Sequence, residues 1–151
     1  MKPMTALLSV TLVIASAAHA LAEATPIHVR KTNGCGCCLA WMEHLEDNRF
    51  APTGENMAAV LLVRYKLDNG IPQRMISCHT ADVEGYIVEG HVPAADIRRL
   101  LEERPDAIGL AVPDMPLGSP GMDQSRRTES YDVFLIRNDG TTEVFASYPG
   151  E

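Results

Sequence analysis

The chain has 151 residues, with 13 Lys and Arg against 20 Asp and Glu and a formal net charge of −7. It carries no basic stripe and only 5% aromatic residues, which argues against nucleic-acid binding. The acidity itself says little beyond a solvated surface with a weak attraction for cations.

Met1-Lys2 supplies a short positive start, residues 6–18 an apolar stretch too short to span a bilayer, and Ala18-His19-Ala20 a small-x-small cleavage site. This predicts a signal peptide over residues 1–20, a mature domain over 21–151 and export to the periplasm. Cleavage after Ala22 or Ala24 fits the same pattern, and a retained membrane anchor is the alternative. Cleavage after Ala20 leaves 131 residues with 12 basic and 20 acidic side chains, or −8, which is one domain with one core and no membrane insertion.

Residues 26–31 alternate Ile27 and Val29 with His28 and Arg30, a strand ended by the Thr32-Asn33-Gly34 turn. Trp41, Met42 and Leu45, interleaved with acidic residues, predict a helix over 37–48. A second helix runs from Met57 to Leu67, capped by Asn56 or Glu55 and stopped by Asp68-Asn69-Gly70. Residues 83–88 read as one strand. Pro93 then opens a helix whose apolar face is Ile97, Leu100 and Leu101, and Pro105 ends it. Residues 105–122, rich in Pro and Gly, read as a long ordered loop or flap. Residues 131–136 and 141–148 flank Asn138-Asp139-Gly140 as a β-hairpin. The expected architecture is one α/β domain ending in a β-hairpin.

All four cysteines lie in Cys35-Gly36-Cys37-Cys38 and Cys78-His79. Thiolates are soft ligands that favour Cu(I) and Zn(II), and a tight thiolate cluster repels itself unless a cation is bound or the sulfurs are oxidised. Cys35 and Cys38 also form a C-x-x-C at a strand-to-helix junction, where the positive end of the helix stabilises a thiolate, the setting of a thioredoxin-like redox site. In such a fold the loop before the third strand faces the C-x-x-C and normally brings a cis-proline. Here residues 76–80 bring a thiol and an imidazole instead, which favours metal. Two disulfides, Cys35–Cys38 and Cys37–Cys78, are the structural alternative, but the first closes a tiny loop and a domain of this size needs no staple.

Several blocks carry a family resemblance: Cys-Gly-Cys-Cys followed by Trp41, Ser77-Cys78-His79-Thr80, the stretch from Glu89-Gly90-His91 to Asp96-Ile97, Gly109-Leu110-Ala111-Val112-Pro113, Met115-Pro116, and Gly118-Ser119-Pro120-Gly121-Met122. Over almost the whole mature chain these resemble the CopG-type periplasmic copper-resistance proteins. The resemblance implies a thioredoxin-like fold, a copper cluster bridged by cysteines, and a role in copper tolerance that extends to copper's oxidation state. The family's second strand would fall on Phe50-Ala51-Pro52-Thr53-Gly54-Glu55, a poor strand sequence expected to be short or at an edge.

On this reading Cys35, Cys37, Cys38 and Cys78 are the metal ligands, although the adjacent side chains of Cys37 and Cys38 are expected to diverge. His79 and His91 are further candidates, against loop and helix-start hydrogen bonding. Met42, four residues after Cys38, can lean back toward the cluster or pack in the core. Met115 and Met122 can close a flap or cover the core, while His28 and His44 read as ordinary surface or helix residues. The cofactor expected is Cu(I), held singly or as a multinuclear cluster, with other periplasmic copper-handling proteins as partners. A thiol-disulfide oxidoreductase with Cys35 as nucleophile and Cys38 as resolving thiol is the second function. A zinc- or disulfide-stabilised interaction domain is the third. No hydrolase triad, phosphate loop or nucleotide fingerprint appears, so no conventional enzyme class is indicated.

Overall fold

The computed structural model describes residues 23–122 and 127–151, and the expected leader lies outside them. The described chain runs β1 (Thr25–Lys31), α1 (Gly36–Asp47), β2 (Phe50–Asn56), α2 (Ala59–Asp68), a 3-10 turn (Gln73–Met75), β3 (Thr80–Val83), β4 (Tyr86–Glu89), α3 (Ala94–Glu103), β5 (Gly109–Ala111), β6 (Tyr131–Ile136) and β7 (Thr142–Tyr148). Its seven strands form one mixed sheet in the order β2-β1-β3-β4-β5-β6-β7. The expected α/β class and terminal hairpin are both present.

Pleating sorts the strands' side chains to two faces. Ile27, Val29, Ala81, Val83, Val88, Leu110, Val133 and Leu135 join Trp41 and Leu45 of α1 and Ile97 and Leu100 of α3 in the main core. The residues that alternate with them, Ile87, Ala111 and Ile136, pack with Ile71 and Met75 in a smaller cluster. α2 is unusual: it buries Leu62 and Lys66 while Val60, Leu61, Val63 and Leu67 stay exposed.

Three expectations need correction. The strand over 83–88 is a hairpin, because Glu84 and Gly85 adopt φ of 46° and 90° and Val83 pairs directly with Tyr86. A two-residue turn with both central φ positive suits the twist of the strands, and the apolar residues on either side of it, Val83 and Tyr86 to Val88, masked the break. The loop over 105–122 contains β5, whose three residues are all buried between β4 and β6. Asn56 and Glu55 belong to β2, and α2 begins after Ala58 with no side-chain cap. The expectation for β2, short or at an edge, is met by its place at the sheet's edge, where it pairs in parallel with β1 over seven residues. Pro52 is tolerated there because an edge strand has one side free of ladder partners.

His44 has a definite task at the start of α3, where its Nε2 accepts the Ala94 N–H at 3.1 Å. His28 sits on the β1–β2 surface, its ring nitrogens each 3.0 Å from Thr53 Oγ1 and a Glu55 carboxylate oxygen.

Candidate metal centre

β1 and the turn after it deliver Cys35 to the N-cap position of α1, in extended conformation and with no side-chain cap on the helix's first amides. No acidic residue occupies the first turn of α1. Its unneutralised positive end therefore faces the sulfurs rather than a carboxylate. Cys35 and Cys38 are joined by a disulfide with a Cα separation of 5.3 Å, and Cys37 and Cys78 are free. The second bridge of the two-disulfide alternative is not formed, since Cys37 and Cys78 stand 3.9 Å apart.

Cys78 comes from the loop ahead of β3 and faces α1 across the site. Its Sγ lies 3.8 Å from Cys38 Sγ, and Cys37 Sγ lies 3.6 Å from Cys35 Sγ. Cys37 thus converges with its neighbours. All four sulfurs lie within 4.8 Å of one another. A second group of the same tightness consists of Cys78, His79 and His91. His79 Nδ1 is 3.1 Å and His91 Nε2 3.0 Å from Cys78 Sγ. Consecutive residues of a strand would face opposite ways, but Cys78 and His79 precede β3 and turn to the same place.

Each imidazole is fixed by its surroundings. His91 Nδ1 is 2.8 Å from the carbonyl of Pro120, which can only accept, so Nδ1 carries the proton and Nε2 offers a lone pair toward Cys78. The His79 ring packs on Trp41 at 4.3 Å and edge-on to His91 at 4.9 Å. Its Nε2 is buried without a hydrogen-bond partner. Trp41 is itself anchored by donating from its indole N–H to the Val92 carbonyl at 2.8 Å.

The segment over 118–122 roofs the imidazole side. Gly121 has φ of 83°, and a Cβ there would stand 2.7 Å from the Cys37 carbonyl oxygen and 2.8 Å from Trp41 N, so only glycine allows this approach to α1. The flap expected from the sequence is thus a closed loop. Its methionines divide: Met122 is half-buried beside Gly121, whereas Met115 is exposed at a surface cleft with Asp114 and Tyr131. Met42 packs against the main core with its thioether over Gly54 of β2, which is the core role weighed for it.

Burial is the largest influence on Cys78, His79 and His91. It pushes the Cys78 thiol up to about 12, helped by the nearby Cys37 and opposed by the Lys66 charge. It holds His79 well below the ordinary imidazole range, with the His91 and Lys66 charges adding to the effect, and it lowers His91 as well. In the metal-free protein both rings are therefore neutral at pH 7. An unfolded chain binds protons on these histidines at higher pH than the folded chain does. Their stabilisation is fully present above about pH 6.5 and declines as pH falls, by up to about 1.4 kcal/mol per unit for each ring. Urea unfolding of the metal-free protein between about pH 7.5 and 5 should show this decline, and His79→Phe should flatten it.

These donors suit a soft metal. With the Cys35–Cys38 bond reduced, four sulfurs and two imidazole nitrogens are the ligand types of Cu(I) and Zn(II), and the His79 edge that carries Nδ1 faces Cys78. Sequence reasoning missed the parts that hold these donors. Trp41 enters the sequence reading as a helix residue and as part of the family block but with no role against His79, and Lys66, on the buried face four residues after Leu62, is not singled out although that spacing marks it.

A family described as "Protein of unknown function, DUF411" matches residues 75–122, the span containing Cys78, His79, His91 and the roof. Two solved structures titled "Copper resistance protein copG", Form 1 and Form 2, are each 45% identical to this chain. They superpose with TM-scores of 0.78 and 0.77, and the matches cover 85% and 84% of this chain and 100% of each of those. No curated protein matches.

Proposed function

The chain belongs to the family of the copper resistance protein CopG, and on that premise we propose that it is an exported, thioredoxin-like protein that holds Cu(I) in a cysteine-bridged cluster and serves copper resistance. The observation that carries this reading is the position of Cys78, whose Sγ belongs both to the four-sulfur group and to the group with His79 and His91. A thiolate shared by two ligand groups can bridge metal ions, which is how a small site accommodates more than one. The thioredoxin-like assignment draws support from the parallel β1-α1-β2 unit with Cys35 and Cys38 at its junction, and from the loop before β3 facing them. Among the described residues no helix is long and apolar enough to cross a membrane.

The Cys35–Cys38 bond favours a second reading, a thiol-disulfide oxidoreductase. The two readings share a first step. Reducing that disulfide takes two electrons and two protons and frees two sulfurs, which then lose their protons to coordinate metal. The copper reading uses Cys78 and both histidines afterwards, and the oxidoreductase reading uses none of them.

An anaerobic Cu(I) titration of the reduced chain against a competing chelator, followed by a Zn(II) challenge, tests the proposal. It should take up more than one copper per chain and retain it against comparable Zn(II), since closely spaced sulfurs favour a soft monovalent ion. Displacement by Zn(II), or saturation at a single copper, would overturn the cluster.

A further inference from the structure

One charged pair lies at the centre of the protein without touching solvent. Lys66 of α2 is 1% and Glu89 of β4 0% exposed, with Nζ and Oε1 2.5 Å apart. Burying such a pair costs several kcal/mol of desolvation per ion, and apolar side chains of similar volume would generally serve stability as well or better. Stability alone therefore does not explain its presence.

Its hydrogen bonds identify what it holds. Glu89 Oε1 accepts the Ser77 N–H at 2.7 Å and Oε2 the Thr80 hydroxyl at 2.5 Å. Lys66 Nζ donates to the Ser77 carbonyl at 3.1 Å. The residues gripped, 77 and 80, are those on either side of Cys78-His79. That segment precedes β3 and has no ladder of its own. The backbone of the next residue after Glu89 completes the grip, Gly90 N–H donating to the His79 carbonyl at 2.9 Å. Glu89 thus sits opposite Thr80 in the β3–β4 register and works as a bracket across it.

We infer that the buried Lys66–Glu89 pair is the positioning element of the ligand loop, setting where Cys78 and His79 stand relative to the sulfurs of α1. The inference rests on the metal-site reading for its purpose, but its geometric content holds in the metal-free chain. A buried ammonium beside the loop also compensates negative charge that thiolates acquire on coordination.

The test uses the full chain with Lys66→Met and Glu89→Gln combined, which removes both charges while keeping the side chains' shape. A second variant, Thr80→Val, leaves the pair intact and releases one grip. Each is made with and without Cys37→Ser. In the metal-free, disulfide-containing chain with Cys37→Ser, Cys78 is the single free thiol, and its alkylation by iodoacetamide reports the loop. Because the Lys66 charge also favours the Cys78 thiolate, rates are compared at equal thiolate fraction, each variant's thiol being titrated separately. On that scale the double variant should alkylate at least about tenfold faster than its parent, the consequence of losing one hydrogen bond to a charged group, and Thr80→Val by a smaller factor. With Cys37 retained and the disulfide reduced, the ultraviolet Cu(I)-thiolate band of the double variant should shift and its copper content fall. A folded double variant that alkylates at the parental rate and keeps the parental band overturns the inference. If the double variant does not fold, unchanged alkylation in Thr80→Val overturns it. If the unmodified chain binds no copper, the metal reading fails, and the alkylation rates still decide the positioning role.

Discussion

Replacing Cys78 with serine is expected to remove most of the bound copper, about as much as replacing Cys35. Cys78 Sγ is the one atom common to the two ligand groups, with His79 Nδ1 and His91 Nε2 within 3.1 Å and Cys38 Sγ at 3.8 Å. Without it the imidazoles and the α1 sulfurs no longer share a ligand, and a bridged cluster cannot close. Cys37→Ser should cost less, since it removes one sulfur and leaves the link. Metal analysis of the reduced, copper-loaded chains gives the answer as copper per protein. A Cys78→Ser chain that loads fully would confine the site to residues 35–38 and favour the oxidoreductase reading, in which Cys78 is dispensable.

The largest effect on the fold is expected from Gly109→Ala. Gly109 opens β5 with φ of 156°, and a Cβ there would fall 1.8 Å from the Ile87 carbonyl oxygen and 2.8 Å from Ile87 N. Those are backbone atoms of β4, the strand with which β5 pairs in parallel, so no side chain can swing aside. β5 would have to leave its place between β4 and β6, and Leu110, Ala111 and Val112 would lose their burial. A loss of more than about 4 kcal/mol follows from so direct a clash, against a total of about 5–15 kcal/mol for a native domain. Thermal and urea unfolding should show a collapsed midpoint, with little soluble protein recovered. An unfolding midpoint close to that of the unsubstituted chain would mean that β5 can shift without cost.

What the sequence disclosed depended on how local each signal was. β1 alternates apolar and polar residues, β6 and β7 flank the Asn138-Asp139-Gly140 turn, and α3 has a clean apolar face, so their existence could be read directly. The β3–β4 hairpin could not, because Glu84-Gly85 lacks the Asn-Gly or Asp-Gly signature and the residues on both sides are apolar. β5 escaped because three residues among prolines and glycines form a strand only when β4 and β6 flank them. The site divides the same way. Cysteine spacing and the adjacency of His79 marked the donors, whereas their supports, Lys66, Glu89, Trp41 and the Pro120 carbonyl, act across distances of 9 to 51 residues in sequence. Met115 shows the converse, a suitable side chain that the loop carries to the surface.

The donors come from three separate stretches, residues 35–38, 78–79 and 91, and these meet only after β1 pairs with β3 and β3 with β4. An unfolded chain offers just the local cysteine run. If copper is the cargo, loading and folding are therefore thermodynamically linked: each ion bound to the native chain raises its stability, and global unfolding releases the load. Departure without unfolding has one open side. His79, His91 and Cys38 are buried, the roof lies over the imidazoles, and Cys35, Cys37 and Cys78 retain partial exposure. An acceptor would have to take copper by ligand exchange from that sulfur side, displacing protein thiolates one at a time while Cys38 and the histidines still hold the rest.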